Sequence, residues 1–288
     1  MLTTNAIGKF DKETGCVLLL GGFDGLHAGH KTLIERAKAH RLPIGATTIL
    51  GGKEELGIFT LQEREQAFFQ SGIDFVLPFA FEEIKDFSAR EFIAFLTENF
   101  SPKAFVCGDD FRFGKGALGT PETLKRAGQV CVEIVKLFEV NGKKVSSRQI
   151  KSLLKEGEVE RANTLLEQPF FLLGRVVGGR QIGRTMDFPT ANIAYPNDKF
   201  PIKKGVYETR VQVGENTYKA ITNFGARPTF DEQEVVTETY IDGFKGDLYG
   251  KELKVEFVRF LREIEKFESA AALKTQLERD IRRVRQGD

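Results

Sequence analysis

The chain has 288 residues, of which 41% are hydrophobic and 29% charged, and its net charge is +1 at pH 7. A charge balance this close to zero argues against the broad basic surface of a general nucleic-acid-binding protein. No apolar run reaches the ~18 residues that a membrane-spanning helix needs, and the chain does not start like a signal peptide. We therefore expect one or two globular domains in a cytoplasmic protein, with neither a nucleic-acid nor a membrane partner. The sequence leaves the oligomeric state open.

The cysteines also favour a cytoplasmic location. Cys16, Cys107 and Cys131 are far apart and odd in number, and each lies in an apolar run typical of a strand. This pattern predicts three buried free thiols, which suit a reducing cytosol.

The first half of the chain alternates short apolar runs with stretches of helical periodicity. The predicted strands are 16–20, 43–50, 73–77, 103–107 and 130–137, and the predicted helices are 31–40, 61–70 and 87–100. Strands that alternate with helices predict a parallel sheet with right-handed crossovers. Ligands bind such sheets at the carboxyl ends of the strands, where we expect the loops 21–30 and 108–116 to converge.

The loop 21–30 reads GGFDGLHAGH and joins the first strand to the first helix. Its glycines allow a sharp turn and a close approach to a ligand, and the free N–H groups of the following helix suit a phosphate. His27 and His30 are three residues apart, so both can face one ligand at the start of that helix. The residues alone also allow a structural turn, or a metal site formed by the two histidines and Asp24.

The composite pattern GxFDGxHxGH resembles the signature of the HxGH nucleotidyltransferases, and most closely that of the bacterial bifunctional riboflavin kinase/FAD synthetases. The resemblance implies a Rossmann-like nucleotidyltransferase domain with His27 and His30 as catalytic groups. It also implies that the ATP-binding residues of this loop are Gly22, Phe23, Asp24 and Gly25.

Two later segments resemble the same family. GDDFRFG, residues 108–114, implies that Asp110 contacts the nucleotide and that Phe111 and Phe113 shape the flavin site. The segment starting VSSRQIK at residue 145 implies phosphate binding by Ser147 and Lys151. Two features depart from the family: Arg148 and Lys151 replace its usual Thr and Arg, and residues 51–60 lack its His-Pro pair. A lysine keeps the charge of arginine but loses its planar fork.

The pattern changes near residues 167–171. Short β runs follow at 172–177, 205–213, 217–224, 235–241 and 253–261, and then an amphipathic helix at 268–285. Glycine-rich turns at nearly regular spacing predict an antiparallel barrel or sandwich. We therefore predict two domains, residues 1–168 and residues 169–288.

The stretch GRVVGGRQIGRTMDFPTAN, residues 174–192, resembles the riboflavin kinase signature, with Asp187 where glycine is usual. The resemblance implies a riboflavin kinase-like barrel whose ATP- and flavin-binding residues are Gly178, Gly183, Arg184, Pro189, Thr190 and Asn192. It assigns Mg²⁺ to Thr190 and Asn192. It makes Glu238 the catalytic base, although Tyr240 stands where the family has a histidine.

The resemblance thus implies two activities that use ATP with Mg²⁺. The C-terminal domain would phosphorylate riboflavin to FMN, and the N-terminal domain would adenylylate FMN to FAD and release pyrophosphate. Three alternatives stay open: a riboflavin kinase with a weakened or silent first domain, a non-catalytic flavin or nucleotide sensor, and a tRNA-linked HxGH enzyme. The near-neutral charge disfavours the last of these.

Overall fold

The structure is a computed structural model that describes residues 6–51, 56–136, 139–140, 143–178, 190–226 and 235–287. Contacts divide the chain into two compact units, Met1–Gln149 and Ile150–Asp288. The predicted boundary at 168/169 lies about 20 residues later, after two helices that precede the barrel, and it stays a prediction.

The first unit alternates strands and helices. Its strands are β1 (Ile7–Gly8), β2 (Cys16–Leu20), β3 (Ile44–Leu50), β4 (Phe75–Ala80), β5 (Pro102–Gly108), β6 (Cys131–Val135), β7 (Glu139–Val140) and β8 (Lys143–Lys144). Its helices are α1 (Ala28–Lys38), α2 (Leu61–Gln70), α3 (Phe81–Ile84), α4 (Ala89–Phe100) and α5 (Pro121–Ala127). Each strand and helix predicted in this half is present, with ends that differ by up to three residues.

Within the described residues, six strands form one sheet in the order β1-β4-β3-β2-β5-β6. Strands β2 to β6 run parallel, and β1 is antiparallel to β4. The predicted parallel sheet is therefore confirmed. The third strand extends to Ala80, beyond its predicted end at residue 77, although Pro78 lies within it. Because β1 pairs only with Phe75 and Val76, β4 is an edge strand at Pro78, where proline is tolerated.

The centre of this sheet is β2, whose five residues are at most 1% exposed. Val17 and Leu19 pack into one hydrophobic cluster with α1 and α2, while Cys16, Leu18 and Leu20 pack into a second cluster with α4. A strand with helices on both faces is apolar at every position, which explains the run CVLLL. The end of this rigid strand fixes where the glycine loop begins.

The second unit starts with α6 (Ser147–Glu156), which crosses the boundary, and α7 (Val159–Leu165). Its strands are β9 (Phe171–Val177), β10 (Thr190–Ala194), β11 (Gly205–Val213), β12 (Asn216–Ala226), β13 (Val235–Ile241) and β14 (Glu252–Arg262). They form a closed antiparallel barrel in the order β10-β13-β12-β11-β14-β9, which confirms the prediction of a barrel. Strand β10 was missed because its residues were assigned only to the kinase signature.

The last helix, α8 (Ala270–Gln286), packs on the outside of the barrel. Val206, Ile221 and Leu261 of the barrel meet Ile281 and Val284 of the helix in one hydrophobic cluster. Inside the barrel the hydroxyl groups of Thr209, Thr222 and Thr239 form a hydrogen-bonded row, with 2.9 Å between successive oxygens. Side chains therefore alternate between a filled interior and an outer face that is available for a site.

The cysteine prediction is correct for two residues and wrong for the third. Cys16 and Cys107 are buried free thiols, but Cys131 is exposed. Cys131 begins β6, the edge strand of the sheet, so neighbouring structure covers it less than an inner strand would be covered. In the described part of the chain, no helix combines the length and the apolar character needed to cross a membrane.

Replacement of a leucine in β2 tests the importance of this strand. Leu18 is fully buried, so Leu18→Ala should lower the free energy of unfolding by about 2–5 kcal/mol through lost burial and a residual cavity. Leu118, which is 82% exposed, is the matched control, and Leu118→Ala should change stability by less than about 0.5 kcal/mol. Urea unfolding of both variants measures the difference, and equal effects would contradict the central role of β2.

Candidate active sites

The first unit contains a cavity of ≈660 Å³ at the carboxyl ends of β2 and β5. One part is polar and includes Gly21, Gly22, Asp24, His27, His30, Asp110, Lys144, Ser146 and Ser147. The other part is apolar and includes Phe81, Ile84, Phe92, Phe111 and Phe113. The loops after β2 and β5 thus converge as predicted, and the cavity combines groups suited to phosphates with groups suited to a flat ring.

The two histidines lie together at the start of α1. His27 is the N-cap residue, and its ring stacks on that of His30 with 3.6 Å between the ring centroids and 19° between the planes. The Nδ1 atom of His30 lies 3.1 Å from the carbonyl oxygen of Gly25, which orients the ring. The Nδ1 atom of His27 is buried and has no hydrogen-bond partner among the residues that the structure describes.

Both histidines are neutral near pH 7. Burial lowers the pKa of His27 to about 4, and the ammonium group of Lys144 adds to this effect. Burial, and then the neighbouring His27, holds the pKa of His30 well below its usual value. A neutral imidazole still donates one hydrogen bond from the nitrogen that carries the proton.

The rest of the glycine loop forms the floor of the cavity. Phe23 has a φ of +42°, a rare conformation for a residue with a side chain, and its ring lies 4.5 Å from that of His30. The Oδ1 atom of Asp24 accepts hydrogen bonds from Arg64 at 2.6 Å and from the N–H of Ile58 at 2.8 Å. Among the described residues, no group of three or more His, Cys, Asp or Glu side chains is placed to hold a metal ion.

The loop after β5 supplies the opposite wall of the cavity. Asp110 forms an ion pair with Lys144, and both residues line the cavity. The rings of Phe111 and Phe113 stack with 5.3 Å between centroids and 13° between planes, and Phe113 also contacts Phe92 at 5.6 Å. These rings form an aromatic wall on which a flat ring could stack.

The two phosphate-binding residues predicted from the segment after residue 145 lie in different surroundings. Ser147, the first residue of α6, lines the cavity, and Ser146 caps that helix by accepting a hydrogen bond from the N–H of Gln149 at 3.3 Å. Arg148 is exposed in the first turn. Lys151 is buried in the second unit, where its Nζ lies 5.7 Å from the ring centroid of Phe200.

The second unit has its own cavity, of ≈740 Å³, beside β10 and the turn after β13. Its lining includes Thr190, Asn192 and Tyr240, together with residues 243–249. Thr190 and Asn192 are two apart on β10 and so lie on one face of the barrel. Asn192 is 5% exposed, and its Oδ1 has no hydrogen-bond partner in the part of the chain that the structure describes.

Glu238 lies on the same outer face, next to this cavity. The register of the barrel places it directly opposite Asn192 of β10 and, on its other side, opposite Asn223 of β12. Directly opposite side chains in antiparallel strands are ≈5 Å apart at Cβ. Glu238 is exposed, whereas the Oδ1 atoms of Asn192 and Asn223 are buried and have no hydrogen-bond partner within the described ranges. The exposed carboxylate is therefore flanked by two amide groups whose oxygens can each accept a further hydrogen bond.

The other predicted kinase residues belong to the segment 178–189, of which the structure describes only the first residue. Gly178 is exposed just beyond β9, and Gly183, Arg184 and Pro189 fall outside the described residues.

Sequence reasoning missed three residues that the structure brings to these sites. Lys144 lines the first cavity, Arg64 pairs with Asp24, and Asn223 flanks Glu238. Lys144 and Asn223 each stand close to a recognised motif. Arg64 had no such signal, because its partner is 40 residues away along the chain.

The fold and the two cavities define a two-domain protein, with an α/β domain of nucleotidyltransferase type followed by a closed β-barrel that has a polar site of its own. A family model described as FAD synthetase matches residues 9–149, and one described as riboflavin kinase matches residues 166–287. On this evidence, and on that of the relatives below, the chain belongs to the bifunctional riboflavin kinase/FMN adenylyltransferase family.

Relatives of that name come from several bacteria. The protein from Pseudomonas fluorescens is 31% identical over 94% of this chain and 92% of its own length. Those from Escherichia coli K12 and Bacillus subtilis are each 32% identical, with 93% and 94% of this chain covered and 91% and 92% of their own lengths. The resemblance inferred from the motifs is confirmed.

A solved structure extends the similarity to the fold. The chain is 31% identical to a macrolide-efflux protein from Streptococcus pneumoniae, with a TM-score of 0.85 over 96% of this chain and 95% of the other.

The low pKa of His27 makes stability depend on pH. The unfolded chain binds a proton at this residue below about pH 6.5, whereas the folded protein does so only near pH 4, so stability falls as the pH falls between these values. The loss should reach up to about 3 kcal/mol, and His27→Gln should weaken this dependence.

Urea unfolding at pH 7 and at pH 4.5 measures the effect. Lys38→Gln, in the last turn of the same helix, is the control, because a lysine does not titrate in this range. An identical loss of stability in wild type and His27→Gln would contradict the buried neutral histidine.

Proposed function

We propose that this chain makes both flavin cofactors from riboflavin. The second unit transfers the γ-phosphoryl group of ATP to the 5′-hydroxyl of riboflavin and yields FMN and ADP. The first unit joins FMN to the adenylyl group of ATP and yields FAD and pyrophosphate. Family membership over the whole chain carries this proposal, and the two separate polar cavities support a division of the reactions between the units. The substrates are small molecules, and the buried free thiols of Cys16 and Cys107 suit a cytoplasmic enzyme.

In the adenylyl transfer an oxygen of the FMN phosphate attacks the α-phosphorus of ATP, and the bond to the pyrophosphate breaks. No covalent intermediate with the protein is required, so catalysis consists of positioning and charge stabilisation. His27 and His30 would donate hydrogen bonds to phosphate oxygens as negative charge builds. A bound polyphosphate would raise the pKa of His30, because a nearby negative charge favours the protonated imidazole, which donates hydrogen bonds from both of its nitrogens. The stacked rings of Phe111 and Phe113 would hold the flavin.

In the kinase reaction Glu238 would accept the proton of the riboflavin 5′-hydroxyl. Its exposure leaves it accessible to substrate, and its place beside the second cavity puts it next to the site we assign to ATP. Thr190 and Asn192 would hold Mg²⁺, and the residues fit that ion, because both offer hard oxygens on one face and Oδ1 of Asn192 has no partner among the described residues. The ion neutralises the charge of the ATP phosphates when it is bound.

A kinase with a silent first domain is the alternative that one observation favours. Lys151, at the position that the family uses for a phosphate-binding arginine, is buried beside Phe200 in the second unit. Lys144, which lines the first cavity, could bind the phosphates there in place of Lys151. We therefore favour two active sites.

A product assay decides between these functions. Purified protein with Mg-ATP and either riboflavin or FMN should form FMN and FAD from riboflavin, and FAD from added FMN, as resolved by chromatography. Glu238→Gln should lower the kinase turnover number by about 10²–10⁴-fold and leave adenylyl transfer unchanged, since only the base is lost. Glu215→Gln, at an exposed hairpin turn, is the control.

Each result has a distinct meaning. Formation of FMN alone would establish the kinase with a silent first domain. No product from either substrate would favour the sensor. An unchanged kinase rate in Glu238→Gln would refute the assignment of the base.

Asn223 provides a separate test of the kinase site. Its amide lies beside Glu238, and its buried oxygen has no partner within the described residues, so we propose that it orients a substrate hydroxyl toward the base. Asn223→Ala should reduce the kinase kcat/KM by about 10-fold or more and spare adenylyl transfer, which serves as the check on folding. Asn216→Ala, at the start of the same strand and far from Glu238, is the control. Equal kinase rates in the two variants would exclude a role for Asn223.

A further inference from the structure

Arg64 of α2 is a buried cation in the first unit, with 5% of its surface exposed. Its Nε donates to the carbonyl oxygen of Phe59 at 2.9 Å, and its Nη1 donates to Ile49 O at 2.9 Å and to Thr48 Oγ1 at 3.0 Å. Its Nη2 donates to Oδ1 of Asp24 at 2.6 Å. A planar guanidinium group can make these bonds at once, whereas an ammonium group cannot.

These bonds connect three segments that are remote in sequence. Asp24 belongs to the glycine loop, Thr48 and Ile49 to the end of β3, and Phe59 to the segment before α2. The hydroxyl of Thr48 also donates to the carbonyl oxygen of Gly22 at 3.0 Å, so a second connection joins Arg64 to the loop. The fit is close, because a Cβ atom at Gly57 would lie 2.2 Å from Nη2 of Arg64.

The loop needs such support because its backbone is strained. Phe23, next to Asp24, has a φ of +42°, and a non-glycine residue keeps this conformation only when its surroundings enforce it. The Phe23 ring contacts His30, and His30 stacks on His27. A shift of Asp24 would therefore reach both histidines through side chains in direct contact.

We propose that Arg64 is a positioning residue for adenylyl transfer, and that it acts through Asp24 and Thr48 to hold the glycine loop where His27 and His30 face the cavity. Asp24 then serves as the loop's anchor to Arg64 rather than as a ligand of ATP. Arg64 itself does not line the cavity formed by the described residues. This inference rests on the proposed adenylyl transfer.

The first test is kinetic and uses the full chain. Arg64→Gln should lower kcat for FAD formation by about 10–100-fold, the scale of a misplacement of about 1 Å, with KM for ATP and FMN within about threefold of wild type. Riboflavin phosphorylation by the same molecules should be unchanged. Arg64→Lys should fall between wild type and Arg64→Gln, because an ammonium group keeps the ion pair with Asp24 but not the fork. Arg126→Gln, on the exposed last turn of α5, is the control.

A double-mutant cycle separates an anchor from a nucleotide ligand. If Asp24 acts through Arg64, the double variant Asp24→Asn/Arg64→Gln should lose no more activity than Arg64→Gln alone. Additive losses, or a tenfold rise in KM for ATP with unchanged kcat, would overturn the proposal and make Asp24 a ligand. Full activity of Arg64→Gln, or an equal loss of both reactions, would also overturn it. If Arg64→Gln does not fold, Arg64→Lys and Asp24→Asn carry the same comparison.

A spectroscopic measurement tests the role of Arg64 independently of the proposed adenylyl transfer. The chain has three histidines, so NMR can follow the ring signals of His27, His30 and His40 in the ligand-free protein. Arg64→Gln should shift the signals of His27 and His30 and leave that of His40 in place, and Arg126→Gln should shift none. Unchanged signals of His27 and His30 would refute the positioning role. A wild-type chain that forms no FAD would refute the proposed function, and the NMR signals would still decide the role of Arg64.

Discussion

The burial of β2 on both faces is the constraint on which the first site depends. A strand packed between two hydrophobic clusters cannot shift or rotate, so the position where it ends is fixed. The glycine loop, the start of α1 and the two stacked histidines all follow from that point. The neighbouring strand β5 brings the aromatic wall to the same edge, because adjacent parallel strands end together. Hydrophobic packing of the strands thus fixes the positions of the polar groups in the first site.

The two units position polar groups in different ways. In the first unit loops leave the ends of strands, and bonds such as the Arg64–Asp24 pair must hold those loops in place. In the second unit the polar groups stand on the strands themselves, where the register of a closed barrel sets their separation. The row of Asn192, Glu238 and Asn223 therefore needs little additional support. The first site can adapt by changes in loops, whereas the second is bound to the geometry of its strands.

The sequence predicts the elements and the motifs well, because hydrophobic period and glycine turns are local signals. It locates the parallel sheet, the barrel and the histidine pair. It does not predict contacts between segments that meet only after folding. Arg64 looks like an ordinary helical charge until Asp24 is brought beside it, and Cys131 looks buried until its strand proves to lie at the sheet edge. Lys151 has the charge expected of a phosphate ligand, but its side chain is buried beside Phe200.

The closure of the barrel also sets an order of events during synthesis. Strand β9 pairs with β14, about 80 residues later in the chain, so the barrel cannot close until its last strand has left the ribosome. The first unit contains mainly neighbouring strand–helix–strand pairs and can fold as it emerges, since domains generally fold as units from the N-terminus. Pairings between distant segments form slowly because the intervening chain must first lose its freedom. The nascent protein therefore passes through a stage in which the nucleotidyltransferase domain is complete while the kinase strands still lack their partners.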